Sequence, residues 1–101
     1  MPPRRIRLEL GRLAKADLAN IRHYGVEQYG FERAIADIDD IERAFRQLLD
    51  FPESGVKHKN EWHIVRSLSF HNHRNYYYIT DDAVVIQRVL RTSTDAERWL
   101  G

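Results

Sequence analysis

The sequence predicts an α+β domain: an N-terminal strand, a two-helix hairpin, then a three-stranded antiparallel meander and a short C-terminal turn, in the order β-α-α-β-β-β. Three observations carry that prediction. Residues 5–10 alternate charged and apolar side chains, the signature of a strand with one buried face. Residues 13–50 repeat apolar side chains at helical spacings, interrupted by glycine at Gly25 and Gly30. Residues 62–91 are rich in valine, isoleucine and tyrosine, which suit a pleated, half-buried surface.

In the first strand Ile6, Leu8 and Leu10 point inward, Arg5, Arg7 and Glu9 outward, and Gly11 ends the run. The first helix covers Leu13 to Tyr29. Leu13, Leu18, Ile21 and Tyr24 make one mostly apolar side, with Asp17 its polar exception; Gly25 weakens the second half and Gly30 is the stop signal. The second helix, Phe31 to Asp50, carries a continuous stripe of Ala34, Ile35, Ile38, Ile41, Phe45, Leu48 and Leu49. The acidic run Asp37, Asp39, Asp40 and Glu42 reads as its solvated face rather than as a carboxylate site. The short connection favours an antiparallel hairpin, and Phe51-Pro52 stops the second helix, because the residue before proline is pushed out of helical geometry. Glu53 to Glu61 reads as a polar loop. Its basic cluster, Lys57-His58-Lys59, is either plain exposed loop or a contact to a nucleic-acid or acidic protein surface.

The strand block divides into Trp62–Leu68, Phe70–Thr80 and Ala83–Arg91, the last two joined by a tight turn at Asp81-Asp82. In the last strand simple alternation puts Val84, Ile86, Arg88 and Leu90 on one face and Val85, Gln87, Val89 and Arg91 on the other. Both faces are largely apolar, so this strand is expected to be central and covered. Thr92 to Asp95 reads as loop and cap, and Ala96–Leu100 has room for a short helical turn only.

Length and composition bound the function. At 101 residues the chain is one domain, 1–101, with room for a modest core. Its 16 basic and 15 acidic side chains leave a net charge of +1, which announces neither a nucleic-acid nor a membrane protein but permits local basic patches. Without cysteine it can form neither disulfides nor a thiolate metal site. The basic start Met1-Pro2-Pro3-Arg4-Arg5 is followed by no apolar run, and no stretch is long enough to cross a bilayer, so a cytoplasmic protein is expected.

Two constellations stand out. His63, His71 and His73 lie on neighbouring predicted strands, and three imidazoles can bind zinc; alternation does not bring His63 into their register, so surface contacts or hydrogen bonds at the sheet edge are the favoured roles. Arg66, Arg74, Arg88 and Arg91, with Lys57 and Lys59 at the entry and Tyr76 and Tyr78 among them, outline a basic, aromatic sheet surface. Positive charge beside stacking rings suits single-stranded nucleic acid, yet a protein-binding face fits the spacing equally well, and Tyr76-Tyr77-Tyr78 has the composition of core. No serine–histidine–carboxylate order, phosphate loop or strong metal motif is present, and no cofactor is expected.

Five stretches stand in a telling order: Leu18-Ala19-Asn20-Ile21-Arg22-His23-Tyr24, Phe51-Pro52-Glu53-Ser54-Gly55, Val65-Arg66-Ser67-Leu68, His73-Arg74-Asn75-Tyr76-Tyr77-Tyr78 and Asp82-Ala83-Val84-Val85-Ile86-Gln87-Arg88-Val89-Leu90. Together with the order of elements they resemble the ParE/RelE superfamily of bacterial toxin–antitoxin modules, over nearly the whole chain. The valine-rich last strand followed by Asp95 is similar to the ParE branch. RelE-like members cut messenger RNA on the ribosome with basic residues of the middle strands, a post-strand arginine and a C-terminal tyrosine or histidine; ParE-like members inhibit DNA gyrase. Arg66 and Arg74 match the middle-strand positions, and Arg91 is the candidate for the post-strand arginine, where Ser93 otherwise stands. Trp99 lies near the tyrosine position, and indole is no general acid or base at neutral pH. The resemblance therefore implies a gyrase or other type II topoisomerase inhibitor without chemistry of its own. The alternatives are a ribosome-dependent endoribonuclease using Arg66, Arg74 and Arg91, or a degenerate member that only binds its antitoxin. It further implies a ParD-like antitoxin whose acidic tail covers Trp62, Trp99 and the basic sheet, with no sequence-specific DNA binding by the toxin alone.

Overall fold

The computed structural model of the chain describes residues 6–59, 64–70 and 72–91. The elements are β1 (Arg7–Leu10), α1 (Arg12–Tyr29), α2 (Phe31–Asp50), a 3-10 turn (Pro52–Ser54), β2 (Val56–Lys59), β3 (Ile64–Phe70), β4 (His73–Ile79) and β5 (Ala83–Arg91). The strands form one sheet in the order β1-β5-β4-β3-β2, in which β1 runs parallel to β5 and every other pair is antiparallel. The parallel pairing follows from connectivity: the helical hairpin carries the chain from β1 over one face of the sheet, and the meander then returns to place β5 beside β1. Gly30 is the whole connection between the helices, at φ 88°, a left-handed backbone that a side chain would strain. Its N–H donates to Val26 O and its own carbonyl accepts from Ala34 N, so one residue ends α1 and starts α2.

The α+β order and the helix bounds agree with the sequence reading, and β5 is internal as its two apolar faces require. Residues 56–59 correct it. They form strand β2, paired to β3 from Val56↔Ser67 to Lys59↔Ile64, where a loop was expected. Edge strands are commonly short and charged, so four residues with lysine and histidine carry no alternating signal. The β3–β4 turn is displaced too. Phe70 ends β3 opposite His73 instead of opening the next strand. Trp62, His63, His71 and the proposed C-terminal turn lie outside the described residues.

The face assignment of β5 also changes. Tyr76 pairs with Arg88 and Tyr77 with Ile86, which leaves Gln87 as an extra residue in a β-bulge. Val84, Ile86 and Val89 consequently join Ala14, Ile41, Phe45, Leu48 and Tyr77 in the core beneath the helices. Leu90 joins Val65 and Tyr76 in a second buried cluster on the opposite face. Strict alternation had put Ile86 with Leu90, and one inserted residue reverses every assignment after it.

Candidate partner-binding surface

Pairing fixes which side chains share a face, since residues directly opposite across two strands point the same way. Tyr77 belongs to the core under the helices, and Arg66 is its partner, so Arg66 and Lys57, opposite Arg66, lie on the helix side. Arg74, Tyr76 and Tyr78 alternate to the other side. The basic residues grouped by the sequence reading are thus divided between two faces.

Each arginine is occupied differently. Arg66 Nη1 donates to the carbonyls of Glu53 (3.2 Å) and Gly55 (3.3 Å), tying β3 to the turn after α2. The same turn is held by Tyr77, whose hydroxyl donates to Pro52 O (2.7 Å) and accepts from Gly55 N (2.9 Å). A Cβ on Gly55 would lie 2.5 Å from that hydroxyl and 2.8 Å from Ser67 O, so the close approach requires glycine although its φ does not. Burial raises the Tyr77 phenol above its usual pKa, against the opposing pull of the Gly55 N–H and Arg66. On the far face the partly exposed Arg74 donates from Nε to Ser69 Oγ (2.9 Å).

Arg88 and Arg91 are anchored to α1. Asp17 accepts from Arg88 Nε (2.8 Å) and Nη2 (2.9 Å), a bidentate pair, and also from Val89 N (2.9 Å). β1 stops at Leu10 opposite Ile86, so Asp17 satisfies a β5 amide beyond the end of that ladder. Seven residues further along α1, Tyr24 lies under the Arg91 guanidinium at 4.2 Å, a cation–π contact. The spacings match: seven helical residues rise about 10.5 Å and three strand residues about 10 Å. Asp17, noted in the sequence only as a polar interruption of an apolar helix side, is therefore the anchor for the end of β5. Nothing in the sequence names its partner 71 positions away.

Tyr76 is fully buried, within ring contact of His58 (6.0 Å), whose Nε2 lies 2.6 Å from Ser67 Oγ. Tyr78 is half-buried opposite Val85. His73 faces Arg91 across β4 and β5, and burial lowers its pKa, with Asp37 opposing and Arg91 adding to the shift. No cluster of three histidine, aspartate or glutamate side chains suited to a metal ion occurs among the described residues. His63, His71, Trp62, Trp99 and the side chain of Lys59 lie outside what the structure describes. Arg66, Arg74 and Arg91 do not surround a common point. Two lie on the helix face four β4 positions apart and the third on the other face, so the set is suited to contacting surfaces rather than to gathering charge around one phosphate.

A family described as "ParE toxin of type II toxin-antitoxin system, parDE" matches residues 8–96. Among solved structures, the chain is similar to the "Chromosomal ParDE TA system from P. aeruginosa", with 24% identity, a TM-score of 0.75, and coverage of 88% of this chain and 98% of the other. It is also similar to a copper-bound mutant toxin from Helicobacter pylori, at 15% identity, TM-score 0.52, and 86% and 94% coverage. No curated protein matches the sequence significantly.

Proposed function

The chain belongs to the ParE toxin family, and from that premise we propose that it inhibits DNA gyrase, or another type II topoisomerase, and is neutralised by a ParD-like antitoxin. The observation that carries the reading is the family match over residues 8–96, which spans every described element except the first residues of the chain. Inhibition would proceed by binding, without a bond made or broken by the toxin. The separation of Arg66, Arg74 and Arg91 supports this over RNA cleavage, which needs proton-transfer groups and cations converging on one phosphate. The architecture shared with the P. aeruginosa ParDE structure supports the antitoxin as partner. Tyr29 and Phe31 at one end of α2, and Phe51 and Val56 at the other, are about two-thirds exposed, at 65%, 67%, 66% and 66%, and offer apolar side chains to a partner.

Regulated expression in bacteria tests the reading at the level of the cell. Growth arrest with chromosome replication halted and messenger RNA intact, relieved by the cognate antitoxin, is the expected outcome. Arrest with cleaved messenger RNA would replace it with the endoribonuclease reading, and unimpeded growth with the degenerate one.

A further inference from the structure

The outer edges of the sheet are β1 and β2, and they differ in kind. β2 reads Val56-Lys57-His58-Lys59 and carries only basic charge, a common protection of an edge against pairing with its own copy. β1 carries both signs. Leu8 and Leu10 pack on the core beneath the helices, so the exposed Arg7 and Glu9 alternate to the far face. There Arg7 Nη2 lies 2.7 Å from Glu9 Oε1 and 3.6 Å from Asp82 Oδ2. The backbone is also divided. Arg7 N donates to Asp82 O and Gly11 N to Ile86 O, both at 2.9 Å, so these positions turn toward β5. Backbone groups alternate along a strand, and the N–H and C=O groups of Ile6, Leu8 and Leu10 therefore turn outward, where the described residues supply no strand. The side chains of the same residues touch the core yet stay only half-buried.

We propose that this edge pairs with the β1 edge of a second copy of the chain, antiparallel about a two-fold axis at Leu8, so that both sheets become one. In that register Leu8 faces Leu8 of the second copy and Ile6 faces its Leu10. Each such pair exchanges both backbone bonds, about six in all, which satisfies every outward group from Ile6 to Leu10. Arg7 then faces Glu9 of the second copy, and Glu9 its Arg7, in the closer type of cross-strand pair. The Arg7–Glu9 pair of each chain becomes half of a ring of alternating charge. On the other face Ile6, Leu8 and Leu10 continue the apolar floor across the joint. Charge also selects the register. Sliding the strands by two residues keeps the hydrogen-bonding parity but sets Arg7 against Arg7, or Glu9 against Glu9. A partner strand of single sign would meet a like charge at Arg7 or at Glu9, so the pattern fits its own copy better. A joint confined to these residues falls short of the roughly 800 Å² per partner of a standard interface, which makes the dimer a weak, exchanging one. It uses none of Arg66, Arg74 and Arg91 and does not depend on which topoisomerase, or any, is the target.

The test is sedimentation of the folded chain from micromolar to millimolar concentration, with amide hydrogen exchange at both ends of the range. The parent should pass from monomer to dimer, and the Leu8 and Leu10 amides should exchange more slowly as it does, while the β2 amides do not change. Glu9→Arg and Arg7→Glu alter exposed positions and should keep the parent's helix and strand content. Each sets like charges together twice across the axis and should dimerise about tenfold more weakly. Mixed together, the two variants should pair with each other at the parent's strength, because every cross-strand charge is again opposite. A chain that stays monomeric throughout would overturn the proposal. So would a dimer that both variants form as well as the parent does, or protection that rises in β2 or the helices while Leu8 is unchanged.

Discussion

Replacing Tyr77 by phenylalanine removes one oxygen and leaves the core ring in place. That oxygen joins the turn after α2 to the middle of the sheet: it accepts from the buried Gly55 N–H at 2.9 Å and donates to the half-buried Pro52 carbonyl at 2.7 Å. The orphaned Gly55 amide should cost about 1–3 kcal/mol and the lost Pro52 bond about 1 kcal/mol, for a total of about 3 kcal/mol. In urea a domain of this size should then unfold at a midpoint lower by about 2 M, with an unchanged slope. Alkaline titration gives an independent sign. Burial raises the Tyr77 pKa in the folded state, so the unfolded chain ionises first. The stabilisation from the neutral phenol is complete below the ordinary tyrosine pKa, about 10, and declines as pH climbs through the raised value. The phenylalanine variant should lack that component of the alkaline decline. A loss below about 0.5 kcal/mol would refute the reasoning, because a buried Gly55 N–H cannot be orphaned so cheaply.

Asp17→Asn keeps an acceptor for Val89 N but leaves Arg88, 23% exposed, without its counter-charge; thermal or urea unfolding should show a loss of about 2 kcal/mol, with amide exchange quickened at the end of β5. The folded-state pKa of His73 is lowered, so the stability linked to its neutral form is present above its usual pKa and is lost as pH falls through the depressed value. Unfolding free energies taken across mildly acidic pH should therefore slope less steeply in His73→Gln than in the parent. Asn75→Leu removes two buried polar atoms that have no partner among the described residues, at similar volume, and should raise stability by about 1 kcal/mol in chemical denaturation.

The sequence displayed what depends on local periodicity. The apolar stripe of α2, the valine-rich composition of β5 and the Gly30 break all have short-range signatures, and each marks its element correctly, although Ile35 of the stripe is 44% exposed. It concealed what depends on a single residue of register or on distant pairing. Gln87 looks like any polar strand residue, yet as the bulge it reverses the faces of Val89, Leu90 and Arg91. β2 is strand because β3 offers it an edge, not because Val56 to Lys59 has strand composition. The same physics dispersed the basic cluster. Arginines on adjacent strands share a face only when their parity agrees, and Arg66 and Arg74 differ in parity once Tyr77 is fixed in the core. Asp17 and Tyr24 are legible as interruptions of a helix face, but their partners Arg88 and Arg91 become evident only when α1 lies along β5.

The most direct test of the central reading is supercoiling of relaxed DNA by purified gyrase, with the chain added free of antitoxin and then with antitoxin restored. Loss of supercoiling with accumulation of cleaved DNA, reversed by the antitoxin, is the result a ParE-type inhibitor must give. Undiminished supercoiling by a folded chain that still binds its antitoxin would contradict gyrase as the target.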